Sequence, residues 1–345
     1  AARRLLAEAL ETPGGLKIQT IHAFCEAVLH QFPLEANVTA HFQMLDPKME
    51  ALLFGEARRE MLTGAVANDR HLAEAFATVL ERGGEFGLDL LLKEIVSKRD
   101  PLRDFIDRLG GDTGSYELLF DEFGFRRGET ERDIGASVWP LPGFTAAYFH
   151  EFVAACQATD ARRATDSIAE PAAKAFSESD PASRLRLLAA AFLKDKREFY
   201  PPSVFKKALL ARLSDLADNY LRAATAIRDA ADRLALFDML TGTAAALTVA
   251  DWLIARYEQL KTAGGFLDFN DLITRTVRLL AREDAGAWVQ YKLDQGIDHI
   301  LLDEAQDTSP DQWDVVRRLA EEFFAGMGAR DNVNRTVFAV GDEKQ

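Results

Sequence analysis

Two short runs of apolar residues, Ile300-Leu301-Leu302 and Val337-Phe338-Ala339-Val340, constrain this chain more than any other feature. Each stops at acid, the first at Asp303-Glu304 and the second at Gly341-Asp342. A strand that is apolar on both faces belongs in a parallel sheet covered by helices on both sides. The helical pattern from Pro310 to Phe324 lies between the two runs and supplies the crossover that parallel pairing requires. At the other end of the chain, Leu16 to Ile21 alternates apolar and polar residues and reads as a further strand. A helix from His22 to Gln31 follows, stopped before Pro33. A short helix from Arg3 to Leu10 precedes, closed by the breakers Thr12-Pro13-Gly14-Gly15.

Between these ends the pattern is helical. Leu209-Leu210, Leu213, Leu216-Ala217 and Tyr220-Leu221 recur at helical spacing, and Gly83-Gly84, Gly110-Gly111, Pro140, Pro171 and Pro201-Pro202 divide the stretch. The segment from Asp121 to Trp139, rich in Gly and charge, reads as a loop. The expected architecture is α/β and mostly helical: residues 1–46 and 265–345 form a parallel-sheet domain, and 47–264 form a large inserted helical domain. The many phenylalanines of the helical stretch read as core packing rather than as a platform for bases.

Composition narrows the function. The chain has 345 residues with 41 Lys and Arg against 55 Asp and Glu, a net charge of −14. That balance disfavours a protein coated with nucleic acid over its whole surface but leaves room for a local basic groove. Pairs such as Arg58-Arg59, Arg162-Arg163 and Arg317-Arg318 read as solvated helix faces. Two cysteines exclude a disulfide framework and suit a reducing compartment, so a cytoplasmic location is expected. No uninterrupted apolar run reaches the roughly 20 residues of a bilayer span, so no membrane is expected.

The chemistry concentrates at the strand ends. Asp303 and Glu304 emerge at the carboxyl end of a strand, where ligands bind in open α/β sheets. This is the form of a Walker B site, in which the first acid would hold Mg²⁺ and the second would polarise a water for attack on the γ-phosphate of ATP; a strand end that merely meets solvent is the alternative. The second strand ends in Gly341-Asp342-Glu343-Lys344-Gln345, where the glycine permits a sharp turn and the Gln345 amide can sense a phosphate. Thr20 and His22 open the helix after the first strand, and a helix N-terminus offers free N–H groups to a phosphate. Capping by Thr20 with a packed His22 is the structural alternative.

The order Thr20-Ile21-His22-Ala23-Phe24-Cys25, a long helical stretch, Leu267-Asp268-Phe269-Asn270-Asp271-Leu272-Ile273, Leu301-Leu302-Asp303-Glu304-Ala305-Gln306-Asp307-Thr308 and Val340-Gly341-Asp342-Glu343-Lys344-Gln345 resembles the UvrD-like branch of superfamily-one DNA helicases. Gln31-Phe32-Pro33-Leu34-Glu35-Ala36 and Asp307-Thr308-Ser309-Pro310-Asp311-Gln312-Trp313 resemble, within that branch, the AddA subunits of bacterial AddAB helicase-nucleases, which act with an AddB partner in double-strand-break repair by recombination. The resemblance implies a partial RecA-like P-loop NTPase domain carrying a helical accessory domain that faces duplex DNA. It places Asp303 in the Mg²⁺ site, Glu304 as activator of the hydrolytic water and Gln345 near the γ-phosphate. Gln306, Asp307 and Asp342 would couple the nucleotide site to neighbouring motifs, and Thr20 and His22 would lie on the single-stranded DNA track.

The chain also departs from the family. No Gly-x-x-x-x-Gly-Lys-Ser/Thr stands anywhere in it, so the phosphate loop is expected upstream of Ala1 and the second motor domain, with any nuclease, beyond Gln345. Taken alone, the chain is expected to be inactive. Two other readings compete: a helical interaction module on scaffold α/β ends, and a metal-dependent phosphohydrolase with Asp303 and Asp342 as ligands.

Overall fold

The structure is a computed structural model that describes residues 18–110, 116–282, 288–289, 292–293, 297, 299–324 and 335–342. The chain divides into two compact units, one made of residues 1–60 with 255–345 and the other of residues 61–254. The expected boundaries at 46/47 and 264/265 therefore shift to 60/61 and 254/255.

The first unit opens with helix α1 (Ile21–Gln31), a two-residue strand β1 (Gln43–Met44) and helix α2 (Pro47–Glu60). The strand expected over Leu16 to Ile21 does not form where it is described. Ile18 to Thr20 is non-helical coil and Ile21 already begins α1. Thr20 decides this: with extended backbone (φ −70°, ψ 158°) its hydroxyl accepts from the Ala23 N–H at 3.2 Å, an N-cap that starts the helix there. The helix expected from Arg3 to Leu10 lies outside the described residues.

The second unit is helical. Its helix α3 (Arg70–Ser97) is broken at Gly84, whose φ of 62° and ψ of −172° no other residue adopts cheaply. Helices α4 (Ala146–Ala158) and α5 (Pro181–Phe192) and the 48-residue helix α6 (Leu216–Ala263) build the core. Phe144, Phe152 and Phe192 are wholly buried and meet edge to face at 5.2–5.4 Å between centroids. The phenylalanine pattern of this unit is thus packing. The stretch from Asp121 to Trp139 is not a plain loop. Thr130 and Asp133 form a capping box for a helix over Glu131–Ala136, and Arg233 clamps the buried Glu129 carboxylate at 3.0 Å. One stretch of α6 is long and apolar enough to cross a bilayer by length and composition (mean hydropathy 1.3). Charge recurs along the same helix at Asp218, Arg222, Asp232, Asp238 and Asp251, and Leu240, Val249, Ala250, Leu253 and Ile254 are buried in the fold.

Past α6 the chain returns to the first unit through β2 (Phe266–Leu267), α7 (Phe269–Ala281), β3 (His299–Leu302), α8 (Pro310–Phe324) and β4 (Thr336–Ala339). Two contacts show why α2 and the end of α6 belong here. Phe54 stacks on Tyr257 at 3.9 Å, and the Glu60 carboxylate pairs with the Arg256 guanidinium. Among the described residues the unit holds two separate parallel pairs, β1 with β2 and β3 with β4, rather than one sheet. Helices α1, α7 and α8 pack through Cys25, Val28, Leu29, Leu272, Leu279 and Val315. The strands β3 and β4 are not buried on both faces as their composition predicts. Leu301 is 74% and Phe338 58% exposed, because among the described residues packing reaches only the side carrying Ile300, Leu302 and Val337.

Candidate functional site

The register His299 with Thr336 through Leu302 with Ala339 brings the ends of β3 and β4 level. Pairing continues past the strands: Val340 N–H donates to the Leu302 carbonyl (2.9 Å) and Ala305 N–H to the Val340 carbonyl (2.8 Å). The two acidic strand ends therefore form one surface.

Gln306 ties them together. Its amide nitrogen donates to the Glu304 carboxylate, and its amide oxygen accepts from the Asp342 N–H at 3.0 Å. The Gln306 side chain thus bonds both strand ends, with Asp342 taking part through its backbone. Asp307 joins by backbone too, its N–H donating to the Glu304 carbonyl at 3.0 Å. Gly341 matters for space rather than for a turn, since it lies outside the left-handed region. A Cβ there would sit 2.7 Å from Gln306 Oε1 and 3.1 Å from the Gln306 nitrogen.

Glu304 itself stands in left-handed backbone (φ 50°, ψ 47°) at the start of a 3₁₀ turn over Ala305–Asp307, and its N–H donates to Asp303 Oδ1 at 3.0 Å. A non-glycine residue pays about 1 kcal/mol to sit there, and such strain gathers at functional positions. Asp303 and Glu304 are both exposed. Among the described residues no group of three or more His, Cys, Asp or Glu converges for a metal. One or two carboxylates at a strand end nevertheless fit Mg²⁺, which keeps most of its ligands from water and phosphate. Gln345 lies outside the described residues.

Thr20 and His22 form a second group. Thr20 caps α1, so the structural alternative for it is realised. The His22 ring meets the Phe269 ring edge to face, 5.2 Å apart at 77°, and Phe269 is 62% exposed. Phe269 is a candidate that residue-level reasoning does not single out. Its one signal is its place in Leu267-Asp268-Phe269-Asn270-Asp271, a run that carries weight only through its resemblance. The paired basic residues behave as solvated faces: Arg59 bonds Glu56, Arg162 bonds Asp160 and Arg317 bonds Asp314.

The UvrD/REP helicase N-terminal domain family profile matches residues 2–345. An ATP-dependent helicase/nuclease subunit of Limosilactobacillus fermentum is 24% identical over 95% of this chain and 26% of its own length. The RecBCD enzyme subunit RecB of Mycolicibacterium smegmatis is 34% identical over 27% of this chain and 7% of its own length. A probable DNA helicase II homolog of Mycoplasma genitalium is 31% identical over 26% of this chain and 11% of its own length. The chain spans about a quarter of the length of the first of these relatives and less of the other two. With a family match over essentially its whole length, the chain belongs to the UvrD/REP helicase N-terminal domain family.

Proposed function

We propose that this chain is part of the first motor domain of an ATP-dependent DNA helicase, with residues 61–254 as a helical domain inserted into a RecA-like fold. In this reading Asp303 holds Mg²⁺ beside the nucleotide. When bound, that ion supplies charge neutralisation on the phosphate oxygens. Glu304 accepts the proton of the attacking water. Gln306 transmits the state of Glu304 to Gly341-Asp342, and Thr20, His22 and Phe269 contact single-stranded DNA. The whole protein is read as the helicase-nuclease component of a double-strand-break repair complex, working with an AddB-like partner on duplex ends. The relatives named as helicase/nuclease and RecB subunits support this.

One observation carries the reading: two parallel strands present acids at the same end, and a single glutamine bridges Glu304 to the second strand. The test is Glu304→Gln in the intact protein, which keeps the shape and removes the proton acceptor. ATP binding should persist and turnover should fall about 10²–10⁴-fold. Turnover near the parental rate would remove Glu304 from the chemistry.

A further inference from the structure

Lys261 sits in the last turn of α6 with its side chain 2% exposed. Its Nζ lies 2.8 Å from Glu258 Oε1, 2.9 Å from Asp268 Oδ2 and 2.8 Å from Asp271 Oδ2. The ammonium donates hydrogen bonds to Glu258 and Asp268 and is ion-paired with Asp271. The Tyr257 ring lies 5.4 Å from the same ammonium.

Two of these carboxylates already have a task. Asp271 N–H donates to Asp268 Oδ1 at 2.8 Å and Asp268 N–H to Asp271 Oδ2 at 3.0 Å, the capping box that starts α7. Lys261 therefore holds the outward oxygen of one acid and shares an oxygen of the other. Burial alone would drive the ammonium toward its neutral form, but Asp271, Asp268 and Glu258 outweigh that and hold it charged. Burial pushes the Glu258 carboxyl up, partly opposed by Lys261. A helix start needs only a cap, and a buried charge cluster costs desolvation that a cap does not require.

What the cluster fixes is the first residue of α7, Phe269. This ring is mostly exposed, so burial of its own surface does not hold it in place. It stands edge-on to His22 instead. An exposed aromatic face anchored by a buried ionic lock suits a flat apolar ligand, and a nucleobase is one.

We propose that Lys261 is a positioning residue: it locks the Asp268–Asp271 capping box so that Phe269 is held against His22 as a preformed stacking face for a base of single-stranded DNA. The ligand rests on the nucleic-acid reading above; the lock does not.

Two measurements on the intact protein separate these parts. In the first, 4-fluorophenylalanine replaces Phe269 and its ¹⁹F resonance is compared with and without His22→Ala. With Lys261 present, His22→Ala displaces the resonance; in Lys261→Met the displacement collapses and the line broadens. Persistence of the full displacement in Lys261→Met overturns the lock. In the second, fluorescein-labelled oligo(dT) is titrated by anisotropy. Lys261→Met and Phe269→Ala should each weaken binding about tenfold, with the slope of log K against log salt unchanged, because a stacking contact is lost and no phosphate contact. A lost phosphate contact would instead make that slope shallower. Where Lys261→Met fails to fold, Asp271→Asn keeps the shape, removes one carboxylate of the lock and should move both readouts in the same direction. Undiminished oligo(dT) binding by Phe269→Ala alongside a collapsed ¹⁹F displacement overturns the stacking assignment and leaves the lock standing.

Discussion

Gly341→Ala is a one-methyl change with a consequence that can be worked out from the strand ends. The added Cβ falls 2.7 Å from Gln306 Oε1, 3.1 Å from the Gln306 nitrogen and 3.2 Å from the Ala305 Cβ. The Gln306 amide can swing away, but only by giving up both its bonds, one to the Asp342 N–H and one to the Glu304 carboxylate. A neutral hydrogen bond contributes about 1 kcal/mol net, and an exposed charge-assisted one adds about the same. The closed strand ends therefore lose about 2 kcal/mol, close to thirtyfold in their opening equilibrium. Hydrogen exchange at the Asp342 amide reads this directly, and its protection should fall by about that factor. Gln306→Ala should give a similar loss, and the double variant should be no worse than either single one, since both act on the same bonds. Unchanged Asp342 protection in Gly341→Ala, or fully additive losses in the double variant, would refute the bridge.

Three further outcomes follow from the same structure. The purified 345-residue chain should not turn over ATP with Mg²⁺ and single-stranded DNA, because no phosphate-loop sequence stands in it to hold the β- and γ-phosphates; turnover that Glu304→Gln abolishes would contradict this. Glu258→Gln should raise thermal stability at neutral pH. The folded carboxyl binds its proton more tightly than the unfolded one, so the parent loses stability as pH rises from the ordinary glutamate range through the raised value, and the variant does not. The difference should close in acid, and melting curves across pH check it. Thr20→Ala should cost about 1 kcal/mol through the lost cap, visible as a lower melting temperature without loss of ATP binding in the intact protein.

Much of the first unit was legible because its signals are local. The apolar runs of β3 and β4 and the helix over Pro310–Phe324 stand where composition and breakers put them. So does α1, because Pro33 stops it soon after Gln31. What failed was non-local or a matter of single atoms. Leu16 to Ile21 alternates like a strand, yet the Thr20 hydroxyl captures the chain for a helix at Ile21. The pair β1 with β2 is two residues long on each side and leaves no pattern to read. Gly341 was legible as necessary but for the wrong reason, since only the structure shows Gln306 filling the space beside it. At the strand ends, Asp303 and Glu304 follow from the motif, whereas the bridge through Gln306 depends on a register set 36 residues away. Lys261 carried no signal, because a single lysine in a last helical turn ordinarily faces water.

The left-handed backbone of Glu304 sets two selections against each other. Glycine, or failing that asparagine, relieves the conformation and should enrich at this position when variants are sorted for abundance or protease resistance alone. The same variants lose the carboxylate and should vanish when sorted for turnover. Position 304 is thus a place where backbone relief and the catalytic role proposed for its carboxylate select opposite residues.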